Sequence, residues 1–162
     1  MIQVINGIEK KIETLHEPEQ IALSAIVSKS CKKIIIQVPE YSELDLPLYI
    51  VDFSKFNLEE GKVDHKDPGS LIGLDIKDSH IVGAGFYNCD FDSVPEEMQY
   101  LTELREMCIL YGNLNAIHGL KWNCPNLETL YLGNNPIRHE RNIEDIASEL
   151  SGHKNIKRIY WI

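Results

Sequence analysis

The sequence predicts an α/β solenoid: a short right-handed coil with a parallel β-sheet, a helical N-terminal cap and β-helix-like first turns. Three observations predict it. Apolar positions recur at one constant interval, with Leu58, Ile81, Leu104 and Leu127 heading successive segments. Gly61, Ala84, Met107 and Leu130 follow each head, and Val63, Phe86, Ile109 and Leu132 come next. A shorter, five-residue period lies upstream, and both ends carry helical stripes. A fixed period of the length that separates Leu104 from Leu127 belongs to architectures that place one strand in each turn.

Residues 1–45 read as the cap and the first strand. Ile8, Ile12 and Leu15 fall on one helical stripe. Pro18 opens a second helix, with Ile21, Ala22, Ala25 and Ile26 facing inward. The apolar run Ile34–Val38 then forms a strand. Residues 46–93 carry the five-residue period. Phe53, Leu58 and Val63 are evenly spaced, and after a slip near Lys66–Pro68 the spacing resumes at Leu71, Ile76, Ile81, Phe86 and Phe91. The segments VDFSK, FNLEE, AGFYN and CDFDS resemble pentapeptide repeats, and that resemblance implies a square β-helix in phase with the longer period.

Residues 94–162 hold the strongest repeats. Leu127–Ile137, LETLYLGNNPI, fits L-x-x-L-x-L-x-x-N-x-L at every defined position. Before it, Phe91, Val94, Met98, Leu101 and Leu104 follow a return pattern with Pro95 in place. These residues resemble the leucine-rich repeat family over roughly residues 81–162. The resemblance implies that Asn135 belongs to a stack of asparagines hydrogen-bonding the backbone at a bend. Cys89 and Gly112 stand in the equivalent places, so most of that ladder is missing.

At the C-terminal end, Asn142 caps a helix whose first turn holds Glu144 and Asp145. Ile143, Ile146, Ala147 and Leu150 form its buried stripe, and Gly152 ends it. Ile156, Ile159 and Trp161 begin another repeat, after a longer interval than the one from Leu104 to Leu127. The sequence stops at Ile162 inside that strand. Lys154, Lys157 and Arg158 are the kind of charges that discourage edge pairing, which favours a monomer. The alternative is that this edge meets a second copy or another protein.

The 162 residues suffice for one domain with a sizeable core. No apolar run approaches the ~20 residues needed to cross a membrane. The start, MIQVINGIEKK, lacks the layout of a secretory signal, which makes the cytoplasm the expected compartment. Net charge is -9, and residues 43–106 alone carry 15 acidic and 5 basic side chains. Such a middle repels a phosphate backbone, so nucleic acid is not the expected partner.

No catalytic constellation, metal site or cofactor site emerges. Cys31, Cys89, Cys108 and Cys124 have no metal spacing. Cys108 reads as facing outward on a strand, Cys89 towards the bend and Cys124 towards the opposite face. His16, His65, His80, His118, His139 and His153 show no ligand spacing and read as surface residues. Gly83 and Gly85 form a lone G-x-G without the rest of a phosphate loop.

The outward strand positions are more informative, because side chains alternate along a strand. One outward column reads Ile35, Lys62, Gly85, Cys108, Tyr131 and Tyr160. The next reads Gln37, Asp64, Tyr87, Leu110, Gly133 and Ile162. Tyr87, Leu110, Tyr111, Tyr131 and Tyr160 therefore cluster on one surface, flanked by Glu106 and Arg158. Tyrosines at that density suit protein recognition, although strands favour tyrosine in any case. The expected function is non-enzymatic: binding another protein on the parallel-strand face. Two alternatives are an acidic pentapeptide-like protein that binds a DNA-handling enzyme, and a structural solenoid without a specific ligand.

Overall fold

The computed structural model describes residues 3–5, 9–29, 34–37, 71–117, 119–137 and 143–161. They form an α/β fold with one mixed, mostly parallel sheet of seven strands in chain order. The strands are β1 (Gln3–Ile5), β2 (Ile34–Gln37), β3 (Leu71–Lys77), β4 (His80–Tyr87), β5 (Glu106–Leu110), β6 (Thr129–Gly133) and β7 (Arg158–Trp161). The helices are α1 (Glu9–Glu13), α2 (Glu17–Lys29), α3 (Leu120–Asn123) and α4 (Ile143–Leu150), with a 3₁₀ helix at Glu96–Tyr100. No described helix is long and apolar enough to cross a membrane.

The repeat spacing sets the register of the central strands. Ala84 aligns with Met107 and Met107 with Leu130, the same offset at each step. Phe86, Ile109 and Leu132 align in the same way. From β6 to β7 the offset is larger, because Leu130 aligns with Ile159. The longer connection is the one that contains α4. Met107, Leu127, Leu130 and Leu132 are fully buried, each contributing roughly 1.5–3 kcal/mol of transfer free energy.

The bend after each of β4, β5 and β6 explains how the chain returns to the core there. Asn88, Tyr111 and Asn134 all have positive φ, at 50°, 52° and 50°. The N–H of Asn88 still bonds Leu110 O at 2.9 Å, and that of Tyr111 bonds Gly133 O at 3.0 Å. The left-handed residue turns its successor inward. That successor is Cys89, Gly112 or Asn135.

Buried Asn135 makes four hydrogen bonds. Its Oδ1 accepts from the amides of Gly112 (3.1 Å) and Leu114 (3.3 Å). Its Nδ2 donates to Ile109 O and Gly133 O, both at 2.9 Å. Cys89 reproduces one of these bonds, with Sγ 3.5 Å from Tyr87 O. A Cβ on Gly112 would lie 2.9 Å from Cys89 O and 3.0 Å from Asn135 Oδ1. Gly112 is therefore the residue that lets the two neighbouring bends close on each other.

A second corner carries a smaller ladder. Asn126 Nδ2 donates to Thr102 O at 2.8 Å, and Asn155 Nδ2 donates to Pro125 O at 2.7 Å. His153 completes this corner. Its Nδ1 accepts the amides of Asn155 and Ile156, so the proton sits on Nε2 and is donated to Cys124 O at 2.7 Å.

Several expectations need correction. The five-residue period does not wind coils over Leu71–Phe91, because β3 and β4 form an antiparallel hairpin. Its two-residue loop, Asp78–Ser79, has positive φ at both positions, which is the twist that right-handed strands accept in a tight turn. The N-terminal helices are not purely an end cap: they connect two parallel strands, β1 and β2, and α2 packs on the 3₁₀ helix. Along α2, Ala22 and Ile26 are buried as expected, joined by Leu23 and Val27, but Ile21 is exposed. Ile146 and Leu150 of α4 are buried. Neither His80 nor His153 is a surface residue: His80 is half-buried and His153 is 7% exposed. The expectations on Ile8, Cys31, His65, His118, His139, Asn142 and residues 46–70 lie outside the described residues.

The bend yields a stability prediction. Asn135→Ala removes the side-chain partner of two amides and two carbonyls, of which Gly133 O keeps the Tyr111 amide, and is expected to cost about 3 kcal/mol. Gly112→Ala is expected to cost about 1–3 kcal/mol through overpacking against backbone. Denaturant unfolding of both variants checks this; parent-like midpoints would remove the bend from its central place.

Candidate protein-binding face

The sheet has one face against the main core and one turned away from it. Leu130 and Leu132 belong to the main core, whereas Cys108, Leu110 and Tyr131 form a separate cluster with Tyr87 packed against it. Strand alternation produces this split.

Register places the outward residues in rows. Gly73, Gly85, Cys108, Tyr131 and Tyr160 align across five strands. Ile36, not Ile35, aligns with Gly73, so the N-terminal end of this column is shifted by one residue. A second row holds Leu71, Tyr87, Leu110 and Gly133. A third holds Gly83, Glu106, Thr129 and Arg158. Glu106 and Arg158 thus lie on one line with Thr129 between them.

The face is not uniformly open. Cys108 is 1% exposed, Tyr131 7% and Leu110 8%, so these three do not present a free surface. Gly73, Gly83, Gly85 and Gly133 are buried as well. This corrects the expectation of an uncovered tyrosine field with Leu110 and Cys108 exposed. What remains accessible is a rim: Tyr111 at 51%, Tyr160 at 41%, exposed Arg158, and half-buried Tyr87 and Glu106.

The rim rings are held in pairs. Tyr131 and Tyr160 stack with centroids 4.8 Å apart and planes 9° from parallel. Tyr87 and Tyr111 meet at 5.0 Å with a 49° tilt. Burial, and then the neighbouring Tyr111, push the Tyr87 hydroxyl above its usual range. A ring that is already packed loses little freedom on contact with a partner. Lys157 on Glu128 (2.7 Å) and Arg105 on Glu103 (2.9 Å) are ion pairs along the strand edges.

Tyr111 stands out. The equivalent left-handed positions hold Asn88 and Asn134, a residue type enriched there. A tyrosine in that conformation carries a local strain and is still half exposed. Thr129 was not anticipated either: it is 1% exposed, and its Oγ1 has no hydrogen-bond partner.

The helical side carries features that strand reasoning passes over. Trp122 is 71% exposed with Lys121 Nζ 4.7 Å from its ring centroid, and Tyr100 is 50% exposed. A cavity of about 390 Å³ lies between the end of α2, the segment after β4 and the start of α3. Lys29 at its edge is tied to Glu97 at 2.7 Å, which holds the Glu97 carboxyl below its usual range. Asn123 Nδ2 likewise donates to Val94 O.

Two of the described thiols are poor nucleophiles. Burial drives Cys108 strongly upward and pushes Cys124 up to about 12. Among the described residues, no group of three His, Cys, Asp or Glu side chains is placed to hold a metal ion. Comparison with protein-family models, with curated proteins and with solved structures gives no match to this chain.

Two measurements probe this site. Tyr111→Asn is expected to stay within about 1 kcal/mol of the parent, because relief of left-handed strain offsets the lost ring contact. Tyr111→Val, β-branched, is expected to lose about 2 kcal/mol or more despite its strand preference. Equal melting temperatures for the two variants would contradict that account. Separately, brief alkylation of the native protein at pH 8 is expected to leave Cys108 and Cys124 unlabelled by peptide mass spectrometry, and unfolding to expose both.

Proposed function

We propose that this chain is a leucine-rich-repeat-like solenoid that acts without catalysis, binding another protein on the outward face of its strands. The constant register of β4, β5 and β6 and the Asn135 bend support the repeat reading. The contact residues are the accessible rim, Tyr111 and Tyr160, with Tyr87, Glu106 and Arg158 beside them. Leu110 and Tyr131 serve beneath it: Leu110 as packing, Tyr131 as the platform on which Tyr160 stacks.

One observation carries the proposal. Tyr111 keeps a large, half-exposed ring at a bend position where the neighbouring turns hold asparagine. Strain at an exposed residue is worth retaining where the ring meets something else. Exposed tyrosine offers large contact area with few torsions to freeze. The competing reading, a structural repeat protein with no ligand, draws on the buried centre of the same face. The reading as an acidic pentapeptide-like protein that binds a DNA-handling enzyme draws no support from residues 71–87, where a hairpin replaces the coils.

Tyr111→Asn separates the binding face from the ligand-free reading, since asparagine suits the bend but removes the ring. Affinity capture from the native cell with parent, Tyr111→Asn and Tyr160→Ala as baits, compared quantitatively, is the test. A protein enriched by the parent and reduced at least about tenfold by either variant, or ~1.4 kcal/mol, supports the face. Identical recovery by all three baits would falsify it.

A further inference from the structure

Away from the tyrosine rim, the start of α2 meets the β3–β4 hairpin through three titratable side chains. Glu19 is 2% exposed, and neither carboxyl oxygen completes a hydrogen bond, the Ile81 amide and His80 approaching it without closing one. Its Oε2 lies 3.4 Å from His80 Nδ1, which is itself buried without a hydrogen-bond partner. That separation is long for a charge-assisted bond, which closes to about 2.7–2.9 Å. The His16 ring lies over His80, with centroids 4.2 Å apart and planes 13° from parallel. The backbone joins the same two elements, because the His16 amide bonds Ser79 O at 3.3 Å. Ser79 belongs to the left-handed pair that makes the turn.

We propose that Glu19 and His80, roofed by His16, form a proton-binding latch that clamps the start of α2 to the hairpin turn and tightens on taking up one proton. With Glu19 ionised and His80 neutral, the pair carries one negative charge, and the carboxyl that holds it is buried. One added proton makes the pair neutral overall, as a carboxylate beside an imidazolium or as a carboxylic acid beside an imidazole. Where the ionised pair has at most a neutral imidazole N–H to share, either protonated form makes a stronger and shorter bond between Oε2 and Nδ1 and draws the two elements together. The other titratable groups on the packed elements are turned outward or already engaged. Glu13, Glu17, Lys77 and Asp78 are exposed, and buried Asp75 has Lys77 Nζ at 3.7 Å.

Burial raises the Glu19 carboxyl above its ordinary value of 4.5, with His80, the Ile81 amide and His16 pulling it back. A folded chain that holds a proton more tightly than the unfolded chain is stabilised by that proton. The contribution is full below the unfolded value and is lost as pH rises through the raised folded value. The latch therefore loosens towards alkaline pH, and the effect belongs to Glu19 rather than to the exposed acidic surface.

The test compares parent and Glu19→Gln between pH 8 and pH 5, by thermal unfolding and by exchange of the His16 amide after correction for intrinsic rates. Glutamine keeps the shape and removes the proton site. The variant is expected to be at least as stable as the parent at pH 8, and the parent to gain on it as pH falls. His16 amide protection in the parent is expected to rise by up to about tenfold per pH unit inside the window. His80→Phe keeps a stacked ring and takes away an influence that lowers the Glu19 carboxyl, so it is expected to shift the same rise to higher pH, which also serves if Glu19→Gln fails to fold; a rise left at the parent's pH overturns the pairing. A parent–variant difference that is constant with pH, or that grows in the opposite direction, overturns the latch.

Discussion

The central strands depend on one backbone requirement: β4, β5 and β6 must each end in a left-handed residue so that the next residue can turn into the core. Asn88, Tyr111 and Asn134 meet it. What fills the inward position then decides how the bend is held. Asn135 does so with four hydrogen bonds, three of which reach into the preceding segment. Gly112 does so by absence, since any Cβ there would meet Cys89 O and Asn135 Oδ1. Buried amides and carbonyls need partners, so a chain that bends beneath a sheet must supply them at the bend.

The bend and the tyrosine rim are consequences of the same geometry. Turning residue 112 inward leaves residue 111 outward, and a tyrosine there stands clear of the sheet beside Tyr87. Register then brings Tyr131 and Tyr160 together, one strand apart. The rim is firm because its rings rest on a small cluster of their own, separate from the main core. A recognition surface built on strands needs this kind of support, since rigid elements hold a contact group more closely than loops do.

Much of this was legible in the residues. The spacing of Ile81, Leu104 and Leu127 carries the register of β4, β5 and β6, and the inward and outward sets of β5 and β6 follow from alternation. Asn135 was recognisable as a bend residue through the resemblance of its segment to the leucine-rich repeat pattern. The hairpin was not legible. Leu71, Ile76, Ile81 and Phe86 satisfy a five-residue period and also suit two antiparallel strands; what separates the two is positive φ at Asp78 and Ser79, for which no glycine gives the signal. Burial of Cys108 and Leu110 was hidden for another reason: alternation names a face, and says nothing of what lies over it. Glu19 and His80 are far apart in the chain, and their meeting has no periodic trace.

The sequence by itself therefore determined the period, the order of the later strands and the identity of the bend residues, because over residues 81–137 the recurring pattern is met by one recurring local geometry. Tertiary structure alone decided the direction of β3 against β4, the contraction of the tyrosine face to a rim, and the burial of a carboxyl beneath two stacked imidazoles. Each of those depends on contacts between segments that share no spacing. Such contacts are set by which surfaces are brought together, and a linear pattern does not record them.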